Sequence, residues 1–225
     1  MHYSPLNKSG YSFTSLLFCV LLIAGLFACA PKAYKNLRQL DGSADCMQQF
    51  KPNFKRALYR TTVDVAGNHL SGILLIKQMP DSTTRLLFTN EAGFKFFDFG
   101  FSKTGAFTVH AIIKKMDKKA VKKTLQKDFQ LLLMNFPQAY IKPYTFKGQQ
   151  ANEKYYAYQN GNDFYYYITN INCKQLIRME RGSHTKKVVV ANSSQLHNGL
   201  PDTLKIHHLN FNFDINLTII NENAE

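Results

Sequence analysis

The sequence predicts an α+β chain of about ten or eleven antiparallel strands, with one long amphipathic helix set midway among them. Three observations predict it. From residue 55 to 220, short runs with a period of two are divided by Gly, Pro, Asn and Asp clusters, the chemistry of turns. No helix long enough for a crossover separates the early runs, so neighbours should pair antiparallel. One stretch, Asp117–Asn135, switches to spacings of three and four: Val121, Leu125, Phe129, Leu132 and Phe136.

The first residues read as an export signal. A polar start carrying Lys8 precedes an apolar run from Phe13 to Ala28. The run is shorter than the ~20 residues that a spanning helix needs. Leu26-Phe27-Ala28-Cys29 resembles the lipobox of bacterial lipoproteins. That resemblance implies a signal peptide at 1–28, cleavage before Cys29 and a covalent lipid on Cys29, which is the only cofactor-like group expected. It also implies a lipidated tether at 29–36 and residence outside the cytoplasm. Ala30 follows the cysteine and no acidic cluster follows it, so the expected location is the outer membrane, facing the periplasm. A single globular domain is then expected at 37–225.

Leu37–Phe50 is expected to hold a short helix, broken near Gly42 and ended by Pro52. Strands are expected at Ala57–Val65, His69–Met79, Thr84–Thr89, Lys95–Phe101 and Ala106–Ile113. Leu86 and Phe88 share one face, as do Phe97, Phe99 and Phe101. Both faces of Gly72-Ile73-Leu74-Leu75-Ile76 are apolar, so either the middle of the sheet is covered on both sides or the sheet curls. The helix at Asp117–Asn135 has Asp117 as its expected N-cap and Pro137 as its stop. Its first half carries Lys114, Lys115, Lys118, Lys119, Lys122, Lys123 and Lys127. Beyond Pro143 the strand pattern resumes. Lys154–Tyr158 and Phe164–Thr169 flank Asn160-Gly161, a hairpin signal. Cys173–Arg181, Lys187–Ala191, Thr203–Leu209 and Phe213–Ile220 complete the set, with turns at Asn198-Gly199 and Pro201-Asp202.

Composition narrows the function. The 225 residues carry 28 Lys and Arg against 15 Asp and Glu, a net charge of +13. Losing Lys8 with the signal leaves +12 on 197 residues. Such a balance favours an anionic partner. Nucleic acid is not expected outside the cytoplasm; lipid headgroups, lipopolysaccharide or another protein are, and a merely solvated basic surface stands beside them. Lys115, Lys118, Lys119, Lys122 and Lys123 are the candidates for an anionic surface. Cys46 and Cys173 form an even pair in an oxidising compartment. A disulfide and two free buried thiols remain open alternatives.

Enzymatic and metal signatures are missing. There is no Gly-x-Ser-x-Gly elbow. Gly100–Gly105 imitates half of a P-loop, but Ala106-Phe107 stands where Lys-Ser/Thr belongs. His207 and His208 face opposite sides of a strand and do not share a metal, while His110, His184 and His197 stand alone. No catalytic or metal-ligating residue is therefore expected. The tyrosines Tyr155, Tyr156, Tyr158, Tyr165, Tyr166 and Tyr167 offer a sugar-stacking surface, with cross-hairpin packing as the plainer alternative.

Leu70–Lys77, Arg85–Phe88, Gly93–Asp98 and Lys127–Leu133, in that order around a central helix, are similar to the core of the LolA/LolB lipoprotein-carrier family. The similarity covers residues 55–135 and, by order of elements alone, 150–220. It implies a strongly curved, unclosed antiparallel β-barrel whose concave side is lidded by the helix. It also implies a hollow that binds lipoprotein acyl chains, lined here by Leu74, Ile76, Leu86, Phe88, Phe97, Phe99, Val109, Leu125, Phe129 and Leu132. A filled core would use the same residues. The implied role is non-enzymatic lipid or lipoprotein transfer and insertion at the outer membrane by a monomer. Its partners would be outer-membrane lipids, lipoprotein acyl chains and a soluble periplasmic carrier. One departure is visible: Pro80-Asp81-Ser82-Thr83 has no apolar residue where the anchored receptors expose one, and Phe94 is the nearest substitute. An assembly lipoprotein docked on an envelope complex, and a glycan binder using the tyrosines, are the rival readings.

Overall fold

The computed structural model describes residues 33–34, 37–39, 45–65, 67–135, 140–146, 152–183 and 185–220, with the backbone alone for residue 39 and residues 140–146. The signal segment, Cys29 with most of the tether, Phe136, Pro137 and His184 lie outside the described residues.

Strand β1 (Leu37–Gln39) precedes a 3-10 helix, Asp45–Phe50. Five strands follow: β2 (Arg56–Val65), β3 (Asn68–Gln78), β4 (Thr84–Thr89), β5 (Lys95–Phe101) and β6 (Phe107–Ile112). Helix α1 spans Lys119–Leu133. The second half holds β7 (Tyr140–Phe146), β8 (Glu153–Asn160), β9 (Asp163–Asn170), β10 (Leu176–Gly182) and β11 (Lys187–Ser193). A short pair, β12 (Leu196–His197) and β13 (Leu200–Pro201), leads to β14 (Thr203–His208) and β15 (Phe213–Ile219).

Among the described residues, thirteen strands form one antiparallel sheet, ordered β1-β7-β8-β9-β10-β11-β14-β15-β2-β3-β4-β5-β6, and β12 pairs with β13 alone. β1 and β6 are the free edges, so the barrel is unclosed, as predicted. The last strand seams the two halves: β15 pairs with β2 from Phe213 opposite Val65 to Ile219 opposite Tyr59. Antiparallel hairpins alternate between the two ends of such a sheet. The tips between β2 and β3, β4 and β5, β8 and β9, β10 and β11, and β14 and β15 therefore share one rim, the front rim. The tips between β3 and β4, β5 and β6, and β9 and β10 share the back rim. Helix α1 starts at the front, after β6, and ends at the back, where Asn135 Nδ2 donates to Ser102 O at 3.0 Å.

Two glycines allow the sheet to bend. A Cβ on Gly72 would sit 2.0 Å from Thr89 O, and one on Gly182 would sit 2.1 Å from Lys186 O. No other residue permits those approaches. Register shifts at Phe88/Thr89, Asp98/Phe99 and Arg181/Gly182 add the bulges that sharpen local twist.

The inner face follows the predicted period. Leu74, Ile76, Leu86, Phe88, Phe97, Phe99 and Phe101 are all buried. Of the two expectations for the outer face, the sheet curls rather than being covered on both sides at β3. Ile73 and Leu75 remain half-buried. A second cluster instead covers the outside of β8–β10, where Tyr34 packs with Tyr155, Ala157, Phe164, Tyr166 and Ile168. Tyr34 stacks on Tyr166 at 4.2 Å and its hydroxyl donates to Glu180 Oε2 at 2.8 Å. Burial first, and Glu180 second, push the Tyr34 phenol far above its usual range, which keeps it a donor.

Other expectations need correction. Leu37–Phe50 is not one helix: Leu37–Gln39 pairs with β7, where edge pairing satisfies its backbone, and only Asp45–Phe50 is helical. Asp117 is not the N-cap. Lys118 holds that place in extended conformation without a side-chain cap, and Asp117 accepts from Lys122 Nζ at 2.6 Å. Strand β7 was not anticipated, because Pro143 interrupts it and its register shifts between Ile141 and Tyr144. Cys46 and Cys173 form a disulfide with Cα atoms 6.3 Å apart, which settles the open alternative.

Candidate functional site

The middle of the concave side is filled. Phe97 stacks on Phe99 at 4.3 Å, meets Phe88 at 5.4 Å and meets Phe129 of α1 at 5.7 Å. Nine of the ten residues expected around an acyl hollow (Leu74, Ile76, Leu86, Phe88, Phe97, Phe99, Leu125, Phe129 and Leu132) belong to this packed core. Of these, Leu125 also reaches the edge of an open space. Val109 lies on the edge strand β6 and is 36% exposed. It is not part of the core, because nothing pairs with β6 on its far side.

An apolar open space lies at the front rim. A cavity of about 290 Å³ lies where α1 begins. Val63 and Val65 of β2, Leu70 of β3, and Phe213 of β15 form its sheet side. Ala120, Val121, Thr124 and Leu125 form its helix side, and Ile113, Met116 and Phe211 complete the walls. The sequence dictates this opening. The first turn of α1 carries lysines and Ala120 where the second half carries Leu and Phe, so the helix cannot fill the space beneath it. Lys115 and Lys118 stand at the mouth. Lys115, Lys118, Lys119 and Lys123 are exposed, and the half-buried Lys122 is paired with Asp117. Lys115 Nζ donates to Asn68 Oδ1 across the mouth. No acidic residue occupies the first turn of α1 and no side chain caps it. The positive end of the helix dipole therefore adds to the lysines.

Behind the cavity the helix is locked by polar groups that the sequence reading did not find. Tyr165, Arg181, Val189 and His208 stand in one cross-strand row over β9, β10, β11 and β14. Arg181 Nη2 donates to Asp128 Oδ1 at 3.0 Å, and His208 Nε2 lies 2.8 Å from Asp128 Oδ2. All three residues are buried. Arg181 Nε and His208 Nδ1 have no hydrogen-bond partner among the described residues. Lys127 and Arg181 both pair with Asp163. Tyr165 donates to Gln130 Oε1 at 3.3 Å and Tyr167 to Leu131 O at 2.9 Å. Burial drives both phenols well up, so they stay protonated donors. The His208 ring packs 4.7 Å from both Phe211 and Phe213, two walls of the cavity.

The tyrosines do not form a sugar platform. Tyr155, Tyr156, Tyr165, Tyr166 and Tyr167 are buried, and Tyr158 packs edge-on to Tyr167 at 5.6 Å. His207 and His208 face opposite sides, as predicted: His207 pairs with Asp214 at 2.6 Å on the exposed face. Among the described residues no group of His, Cys, Asp and Glu could hold a metal ion. No helix among them is long and apolar enough to cross a membrane.

No known family model matches the chain, and no curated protein matches it. Solved structures are similar to it. One is a DUF1329 family protein from Desulfovibrio piger, at 7% identity and a TM-score of 0.42, covering 80% of this chain and 90% of that one. Another is a domain described as an outer membrane lipoprotein-sorting protein, from Vibrio parahaemolyticus, at 8% identity and a TM-score of 0.38, covering 80% and 91%. Both TM-scores lie below 0.5, a likeness too loose to carry an inference about function.

Proposed function

We propose that this chain is a non-enzymatic lipid-binding lipoprotein of the bacterial envelope, which takes an acyl chain into the front-rim cavity. The observation that carries the reading is an apolar cavity of about 290 Å³, opening between lysines beside a packed aromatic core. The cavity walls are almost wholly apolar, which suits an acyl chain better than a polar ligand. Apolar area leaving water would drive entry, at ~25 cal/mol per Å². The lipobox at Leu26–Cys29 supports a lipid anchor on Cys29 and a location at the outer membrane, facing the periplasm. The role is transfer or insertion of lipids or lipoproteins, of the kind LolB-like receptors perform, acting as a monomer with a soluble carrier as donor. The acyl site differs from the expected one: it uses Val63, Val65, Val121, Leu125 and Phe213 in place of the Phe88–Phe97–Phe99 group.

Native mass spectrometry of the full chain released from membranes tests this. A co-purifying acyl species is expected on the parent protein and should be lost on Val121→Trp, which fills the cavity. A parent protein without any bound acyl mass would refute the reading.

A further inference from the structure

We infer that the front rim is a docking surface for an anionic lipid bilayer, so that the cavity mouth opens against the membrane. This goes beyond acyl binding, and it holds even where the cavity proves empty.

The first support is where the exposed apolar side chains lie. Phe94 is 57% exposed on the β4–β5 tip, and Leu209 and Phe211 are each 48% exposed on the β14–β15 tip. Both tips are on the front rim, separated in the sheet by β2 and β3. Asn90 orders the first tip: its Oδ1 accepts from the Phe94 amide at 2.7 Å, and Phe94 meets Phe96 edge-on at 5.8 Å. The apolar groups are a few side chains on two tips set apart by β2 and β3. Such spacing suits the soft boundary of a bilayer, where isolated aromatic and aliphatic wedges bury among acyl chains, better than a shaped protein interface with a packed centre.

The second support is charge. Lys114, Lys115, Lys118, Lys119 and Lys123 are exposed around the uncapped start of α1 on this rim. Of the acids near them, Asp117 pairs with Lys122 and Asp163 with Lys127 and Arg181, while Asp64 and Asp214 lie within hydrogen-bond distance of His69 and His207. Glu91 sits on the β4–β5 tip. An excess of lysine beside apolar wedges is the pattern that binds anionic headgroups.

The third support is where the chain enters the domain. The Ala33 amide donates to Thr185 O at 2.9 Å, in the turn between β10 and β11, which is also on the front rim. Tyr34 is clamped just below by Tyr166 and Glu180. Three residues lie between Cys29 and Ala33, so the chain can span at most about 14 Å from one to the other. This support rests on the lipid proposed above for Cys29, which on so short a tether would hold the wedges and lysines of this rim near the bilayer.

The chain contains no tryptophan, so one introduced residue reports its own depth. The full chain is reconstituted in vesicles of phosphatidylcholine with phosphatidylglycerol, some bearing brominated acyl chains. Phe94→Trp and Phe211→Trp should show blue-shifted emission and several-fold stronger quenching than Ile171→Trp, which lies on the back rim and is 38% exposed in the parent. Replacing phosphatidylglycerol by phosphatidylcholine, or combining Lys114→Gln, Lys115→Gln, Lys118→Gln and Lys119→Gln, should lower the front-rim quenching several-fold. Quenching that is equal at both rims overturns the inference. So does front-rim emission shielded by a stoichiometric protein with no bromine quenching. Loss of acyl binding with front-rim quenching intact would refute the cavity reading and leave the docking surface standing.

Discussion

The two halves of α1 face the same curved sheet and do opposite things. From Leu125 to Leu133 the helix is sunk into the barrel: Asp128, Phe129, Gln130, Leu131 and Leu132 are all buried. From Lys119 to Thr124 it leaves a space of about 290 Å³ beneath it and carries lysines outward. The back rim is also stapled. The Cys46–Cys173 disulfide ties the 3-10 helix to the β9–β10 turn, Gln49 Nε2 donates to Cys173 O at 2.6 Å, and Tyr156 donates to Cys46 Sγ at 3.0 Å. A cross-linked back lets the front end of the barrel move without unfolding the other. The lesson is that a greasy helix over a curled sheet does not by itself make a hollow. The second half of the helix holds its position through Asp128, Arg181 and His208, and the apolar cavity lies under the first half, while a more polar cavity of about 280 Å³ flanks Leu133 and Asn135 at the back rim.

Asp128→Ala is the strongest way to break this contrast. It strands His208 without its acceptor and leaves Arg181 only the longer contact to Asp163. Removing one member of a buried charge group costs about 3–5 kcal/mol, most of a small domain's stability. Urea unfolding should show the loss. A change under ~1 kcal/mol would mean that the helix is held by apolar packing alone.

Opening the staple comes next. The disulfide spans 127 residues, and closing a loop of that order stabilises by about 2–5 kcal/mol in the chain-entropy account. Thermal melts of Cys46→Ser with Cys173→Ser should fall accordingly. The back rim should lose amide protection before the β15–β2 seam does.

Much of the sealed half was legible in the sequence, and most of the open half was not. Strands Thr84–Thr89 and Lys95–Phe101 lie at the residues where alternation placed them, because an inner face of Leu and Phe admits only one phase. Asp128 was not legible as a buried acceptor. It follows a lysine-rich run and reads as polar surface; its partners are 53 and 80 residues away. Only the row through Tyr165, Arg181, Val189 and His208 brings them together. Phe211 and Phe213 were invisible as cavity walls for the same reason: the β15–β2 seam joins the last strand to an early one. Leu125 was legible, since helical spacing alone points it inward.

On the outer face, Glu153 and Asp98 predict an acid response. Hydrogen bonds from Arg178 hold the Glu153 carboxyl below its usual range, against burial. Burial pushes Asp98 upward, but Arg85 and Lys95 more than offset it. Both groups are depressed in the folded state. Their stabilisation is therefore complete above the ordinary carboxylate range and lost as pH falls through the lowered values. Stability should drop in that acid window, and Glu153→Gln should flatten the drop. The effect is about 1 kcal/mol per pair, because both pairs are partly wet. A drop unchanged in Glu153→Gln would assign it to other carboxylates.

The smallest effect gives the sharpest comparison. Val121 and Phe129 lie two turns apart on α1, one against the cavity and one against Phe97. Phe129→Ala removes a ring from a filled core and should cost about 3–5 kcal/mol. Val121→Ala removes methyl groups that already face open space on one side, so few partner atoms are lost. Its cost should stay near 0.5 kcal/mol. If Val121→Ala costs as much per methyl as Phe129→Ala costs per ring carbon, the front of the barrel is packed in solution and the two halves of the helix are alike after all.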